Sequence, residues 1–169
     1  MVWFAQKDSL AKYLPLYTLH FTLYFLLHAM TAITDLNQLL AHMEPVLQAG
    51  EYVFCTFADK KYGDLAELDP LCAYREAEGL TLILPKASAD LAQIDYDGTY
   101  RAITLQVHSS LEAVGLTAAV ATELAAHNIS ANVVAAYYHD HVFVQSGRAA
   151  EAVAALRQLS QEMRDKFNG

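Results

Sequence analysis

The run Arg101-Ala102-Ile103-Thr104-Leu105-Gln106-Val107, followed by Leu116 to Ala126 and then by Ile129 to Val144, decides the fold. Residues 101–107 alternate apolar and polar side chains with the period of a half-buried strand. In Leu116–Ala126 the apolar residues Leu116, Val120 and Leu124 recur every four positions, which predicts a helix, and His127-Asn128 ends it. Between the two lies His108-Ser109-Ser110-Leu111-Glu112-Ala113-Val114-Gly115, a loop or frayed first turn. Ser109 and Glu112 have capping-box spacing, but Gly115 weakens any helix running through it. Ile129–Tyr138 reads as a strand, His139-Asp140 as a tight polar turn, and His141-Val142-Phe143-Val144 as the returning strand. After Gly147 a last helix carries Val153, Leu156, Leu159 and Met163 on one face. The order is strand, helix, strand, strand, helix.

Working towards the N-terminus, a fainter copy emerges. Thr34 or Asp35 caps a helix bearing Leu36, Leu39, Leu40 and Met43; Pro45 disturbs its end and Gly50 stops the segment. Glu51–Phe57 is rich in β-branched and aromatic residues and reads as a strand. Residues 58–70 are polar and hold Gly63 and Pro70, so they form a loop with at most one helical turn. Cys72–Arg75 and Leu80–Leu84 make a hairpin with Gly79 at the turn; a short helix over 87–94 and a turn over 95–99 follow. The two halves suggest a duplication with a period of about 50 residues. In it Ala73-Tyr74-Arg75-Glu76 corresponds to Ala136-Tyr137-Tyr138-His139, and Leu82-Ile83-Leu84 to Val142-Phe143-Val144. Such units pack as antiparallel sheets with helices on one face. The expected fold class is α+β: two tandem ferredoxin-like βαββαβ modules, a first, degenerate one over 34–99 and a second over 100–169.

Residues 13–34 contain no Asp, Glu, Lys or Arg, and Lys7 and Lys12 precede them. Three readings compete. The stretch is barely long enough for a spanning helix. As a secretory signal it has only the poor cleavage site Ala29-Met30-Thr31-Ala32. As a leader upstream of a natural start at Met30 it has no structural role. The expectation is that residues 1–33 are an extension outside the folded unit and that the protein is cytoplasmic, without stable membrane insertion.

Composition narrows the function. The net charge is −8 and no basic run exceeds Lys60-Lys61, which argues against a phosphate-tracking nucleic-acid binder. Cys55 and Cys72 stand in apolar surroundings and form neither a disulfide framework nor a short-spaced metal pair.

The segments Val107–Thr117, Ile129–Val134 and Tyr138–His141 together resemble an ACT domain, whose pattern is a strand, a loop ending in Gly-Leu, a helix, and a hairpin opening with Ile-Ser or Ile-Asn. More closely, with Tyr52–Phe57 and Arg75–Leu84 in the first half, the chain resembles a small bacterial family of tandem ACT proteins not fused to an enzyme, and more distantly the tandem ACT proteins that sense arginine. The resemblance covers residues 34–160. It implies two side-by-side ACT modules, no catalysis, no cofactor, and a regulatory role in binding an amino acid or similar small metabolite at the interface between modules. Carried over by position, it implies a ligand site at Val114, Gly115 and Leu116, with Ala136, Tyr137 and Asp140 on the second hairpin and Thr81 and Leu82 from the first. Where the family often has Ser-Thr, this chain has Ala135-Ala136. Chemistry agrees with the assignment: glycine lets a ligand approach the backbone, and free N–H groups at a helix start attract a carboxylate.

Other chemistries weigh less. His139 and His141, alternating on a strand and joined by His108, suggest a metal-dependent enzyme; a polar turn accounts for the same residues, so no metal is expected. Ser109 or Ser110 with Asp140 lacks a nucleophile elbow. Glu76 and Glu78 beside Arg75 read as a solvated turn, and Tyr137-Tyr138 as a stacking platform lacks a basic groove. A protein-interaction module without a small ligand remains the alternative. An exposed sheet edge predicts a homodimer.

Overall fold

Asp35 opens the first helix of the computed structural model, which describes residues 33–168. In this helix, α1 (Leu36–His42), Asp35 Oδ1 accepts from the Gln38 N–H at 2.9 Å and satisfies one of the free donors of the first turn. The helix stops ahead of Pro45, whose ring disfavours helical backbone in the residue before it. Pro45–Leu47 is then a short strand, β1, which the sequence does not announce. There follow β2 (Tyr52–Phe57), a single 3-10 turn at Ala66–Leu68, β3 (Cys72–Arg75), β4 (Leu80–Pro85), α2 (Lys86–Leu91), β5 (Tyr100–Leu105), α3 (Leu116–Ala126), β6 (Asn132–Ala135), β7 (Asp140–Gln145) and α4 (Ala149–Asn168).

All strands pair antiparallel in the order β3-β4-β2-β5-β7-β6, with β1 also beside β5. Strand β5 is the hinge of the architecture. One side pairs with β7. The other pairs with β2 at its start, Tyr52 opposite Tyr100, and with β1 at its end, Pro45 opposite Leu105. β5 therefore closes the first ferredoxin-like unit and opens the second, and β1 adds a strand to the second unit on the side of β5 away from β7. The crossover from β2 to β3 holds only the 3-10 turn, so the first unit is degenerate where the sequence is polar. Residues 36–47, grouped by sequence with the first half, contribute to the second unit's core: Leu39, Leu40 and Met43 pack with Ile103, Leu105, Leu116, Val120 and Leu156.

The second hairpin differs from its expected outline. Ala136 N–H donates to the His139 carbonyl at 3.2 Å, so the turn is 136–139, the strand expected over 129–138 shrinks to Asn132–Ala135, and Asp140 becomes the first residue of β7. The first hairpin closes in the same way, Glu76 N–H to Gly79 O at 2.8 Å. Glu76–Gly79 therefore corresponds to Ala136–His139, which displaces the expected match of residues 73–76 with 136–139, whereas Leu82–Leu84 with Val142–Val144 holds. Gly79 is required: at φ +148° its added Cβ would stand 2.4 Å from the Phe57 carbonyl oxygen.

One face of the sheet carries the helices. Val53, Cys55, Leu80, Leu82 and Leu84 pack under α2, and Ile103, Leu105, Val142 and Val144 pack under α1, α3 and α4. The other face buries Ile83, Ala102 and Phe143 among Tyr52, Phe54, Tyr100 and Val134. Phe54 makes edge-to-face contacts with Tyr100 at 5.0 Å and with Phe143 at 5.6 Å between centroids. Although β3 and β6 are the two end strands, both line one cleft on this face, so the sheet is curled and the face concave. Among the described residues no helix is long and apolar enough to cross a membrane. The uncharged stretch up to residue 32, with its three readings, lies outside the described residues.

Candidate functional site

The loop between β5 and α3 is built by pairing with Ile33, just ahead of α1. Ile33 N–H donates to His108 O at 3.0 Å, and Ser110 N–H to Ile33 O at 3.1 Å. Ser110, not Ser109, makes the local turn: its Oγ accepts from Glu112 N–H at 3.1 Å, well before α3 begins. Gly115 then opens α3 at φ +104° with no side chain capping the helix. A first turn without a cap leaves N–H donors for an anion, and the helix dipole favours negative charge there.

The second hairpin comes to this loop. His139 Nδ1 lies 3.2 Å from the Val107 carbonyl, and the rings of His108 and Tyr138 stand 5.7 Å apart. Tyr138 is also edge-on to Tyr137 at 4.9 Å, and both tyrosines are exposed. Asp140, expected to project from a turn, is instead 8% exposed and alternates with Val142 and Val144 on the helix-bearing face. Burial pushes its carboxyl up, against the smaller pull of His141 and His139. Among the described residues its carboxylate has no hydrogen-bond partner. His141 faces the other side of the sheet. Its Nδ1 is 3.0 Å from Thr104 Oγ1, and burial pushes its pKa down.

The remaining residues expected at the site divide. Val114 is 83% exposed, and Ala136 and Tyr137 are exposed on the turn. Leu116 is buried in the core. Gly115 does not hold open room for a ligand above its Cα: a Cβ there would meet Leu36 Cδ2 at 2.9 Å. Thr81 and Leu82, as neighbours on a strand, point to opposite faces. Leu82 is buried under α2, while Thr81 lines the concave cleft on the face away from Asp140. Thr81 and Leu82 are therefore not brought to the loop at Gly115. His139 and His141 engage different partners, the Val107 carbonyl and the Thr104 hydroxyl, and among the described residues no group of three metal-ligating side chains forms. Sequence reasoning missed Ile33 and Leu36, whose contacts with residues 108–115 leave no local signal.

Profiles of the ACT domain match residues 31–101 and again residues 97–158, the overlap falling at the start of β5. Among solved structures, the chain is similar to a Vibrio cholerae protein of unknown function, described as a possible transport protein. Identity is 50% over 74% of this chain and 95% of that one, with a TM-score of 0.68. An Agobacterium tumefaciens protein shares the fold at 16% identity, over 70% of this chain and 90% of its own, with a TM-score of 0.59. The regulatory subunit of aspartate kinase from Thermus flavus shares it at 12% identity, over 69% of this chain and 96% of its own, with a TM-score of 0.52. No curated protein matches. ACT domains are typically regulatory, non-catalytic modules that bind small ligands. With two such matches in tandem on a sheet whose central strand both share, the chain belongs to the ACT-domain family.

Proposed function

We propose that the chain is a non-catalytic sensor of a free amino acid or closely similar metabolite, acting in the cytoplasm, with its site where the β5–α3 loop meets the second hairpin. The observation that carries this reading is Asp140. Burial makes its surroundings unfavourable to the charged carboxylate, and a cation brought beside it relieves that cost. The uncapped first turn of α3 offers the complementary half, N–H donors for a carboxylate. An α-amino acid carries both charges at a fixed separation. Val114 and Tyr137 supply exposed apolar surface for its side chain. A homodimer through an exposed end strand, β3 or β6, belongs to the same proposal.

The test is a thermal melt of the protein with each of the common amino acids in turn. A ligand at 100 times its Kd stabilises a fold by about 2.7 kcal/mol. One amino acid, or a small chemically related group, is expected to raise the melting temperature by several degrees, and Asp140→Asn to abolish the rise. If none raises it, or if Asp140→Asn responds like the parent, the reading fails. The chain is then an interaction module presenting Leu111, Val114, Tyr137 and Tyr138.

A further inference from the structure

The concave face of the sheet holds a cleft of about 350 Å³ that none of the features above uses. That volume lies within the range of small-molecule sites. Its walls come from both ends of the sheet: Cys72 on β3, Ile83 on β4 and Phe54 on β2 on one side, Val134 on β6 across from them. Phe54 is held in place by edge-to-face contacts with Tyr100 and Phe143. The polar groups gather at one place. Glu76, in the first hairpin turn, accepts a hydrogen bond from Thr81 Oγ1, and both line the cleft together with the exposed ring of Tyr74.

We propose that this cleft binds a small primary amine with an apolar body and no carboxylate. Glu76 is the one charged side chain among the described residues that line it. The Thr81 hydroxyl donates to that carboxylate and fixes it on the cleft side. An ammonium is the partner that a hydrogen-bonded carboxylate beside an aromatic ring selects, by a charge-assisted hydrogen bond and by attraction to the ring face. The body of the ligand lies along Phe54, Ile83 and Val134. Among the described residues no cationic side chain lines the cleft to meet a ligand carboxylate, so a zwitterionic amino acid gains nothing from its second charge and brings it towards Glu76, which repels it. This separates the cleft from the Asp140 site: they lie on opposite faces of the sheet and differ in the charge they demand.

Isothermal titration of the full chain tests the assignment with three amines (2-phenylethylamine, tyramine and 3-methylbutylamine) and two controls of matched body, L-phenylalanine and 3-phenylpropionate. At least one amine is expected to bind at one per chain, and at least tenfold more tightly than either control. Loss of a hydrogen bond to a charged group lowers affinity by roughly ten- to a hundredfold, so Glu76→Gln is expected to weaken the amine by at least tenfold. Val134→Phe, which fills the cleft from the β6 side, is expected to abolish binding, and Asp140→Asn to leave it unchanged. The proposal is overturned if no amine binds. It is equally overturned if 3-phenylpropionate binds as well as the amines, if Glu76→Gln and Val134→Phe both bind like the parent, or if Asp140→Asn removes the amine. The last outcome would place the amine at the other site.

Discussion

Leu36 of α1 occupies the space that a side chain on Gly115 would need, its Cδ2 standing 2.9 Å from the position of such a Cβ. The glycine at the head of α3 is therefore explained twice over, by a positive φ and by close packing from a segment far away in sequence. Gly115→Ala is expected to destabilise the fold by about 1–3 kcal/mol, the range for a non-glycine residue held in a left-handed conformation. Adding Leu36→Ala should not restore the parent's stability, because it relieves the contact and leaves the backbone strain. Urea denaturation of the two variants, compared with Leu36→Ala alone, checks this.

The buried carboxyl of Asp140 makes an unusual pH prediction. Its pKa in the folded protein is raised above the unfolded value, so the folded state holds the proton more tightly. Its contribution to stability is greatest below the unfolded pKa near 3.8 and is lost as pH rises through the folded value. Asp140→Asn should accordingly be more stable than the parent at neutral pH, with the difference shrinking towards pH 4. Melting temperatures of both proteins between pH 4 and pH 8 measure the gap. A variant less stable than the parent at neutral pH would show that the charge is compensated.

His141 works in the opposite sense. Burial lowers its pKa, so the unfolded chain binds the proton more tightly and stability falls as pH drops below about 6.5. His141→Gln, which keeps a polar group beside Thr104, should flatten the dependence between pH 5 and pH 7. The observable is the slope of melting temperature against pH, parent against variant.

Ser160 is buried in α4 and serves another element. Its hydroxyl lies 2.8 Å from the Met43 carbonyl and 3.3 Å from that of Ala41, while Arg164 Nη1 donates to the Ala41 carbonyl at 3.0 Å. These are the orphan carbonyls at the end of α1. Ser160→Ala should destabilise by about 1–3 kcal/mol, the penalty for leaving a buried carbonyl without its donor. Hydrogen exchange should then quicken in residues 36–42 before it does so in β7.

How far the chain could be read in advance follows the range of each interaction. Helix α3 and the hairpin strand that starts at Leu80 are written in local periodicity and turn residues; the helix stands where the pattern puts it, and the strand runs one residue past the expected Leu84, to Pro85. Strand β1 is three residues long and starts with a proline, too little to alternate, and it exists because β5 offers an open edge. His139-Asp140 reads as a turn because two polar residues in succession look like one. The register that places Asp140 opposite Ala135 is set by a backbone bond from Ala136 to His139. Thr81 and Leu82 were grouped by sequence although strand geometry separates them. The concave cleft has no local signature at all, since its walls meet only when the two ends of the sheet curl towards each other.

The sharing of β5 has a mechanical consequence. A strand that is the last of one unit and the first of the next cannot slide, tilt or unzip on one side without disturbing its partners on the other. Val46 and Leu47 in β1, Val142 in β7 and Tyr52 in β2 all read the position of the same six residues. The two halves are therefore expected to unfold together, in a single transition. The loop leaving Leu105 and the pairing at Tyr100 thus hang from one short cord, with no seam between the halves for them to part along.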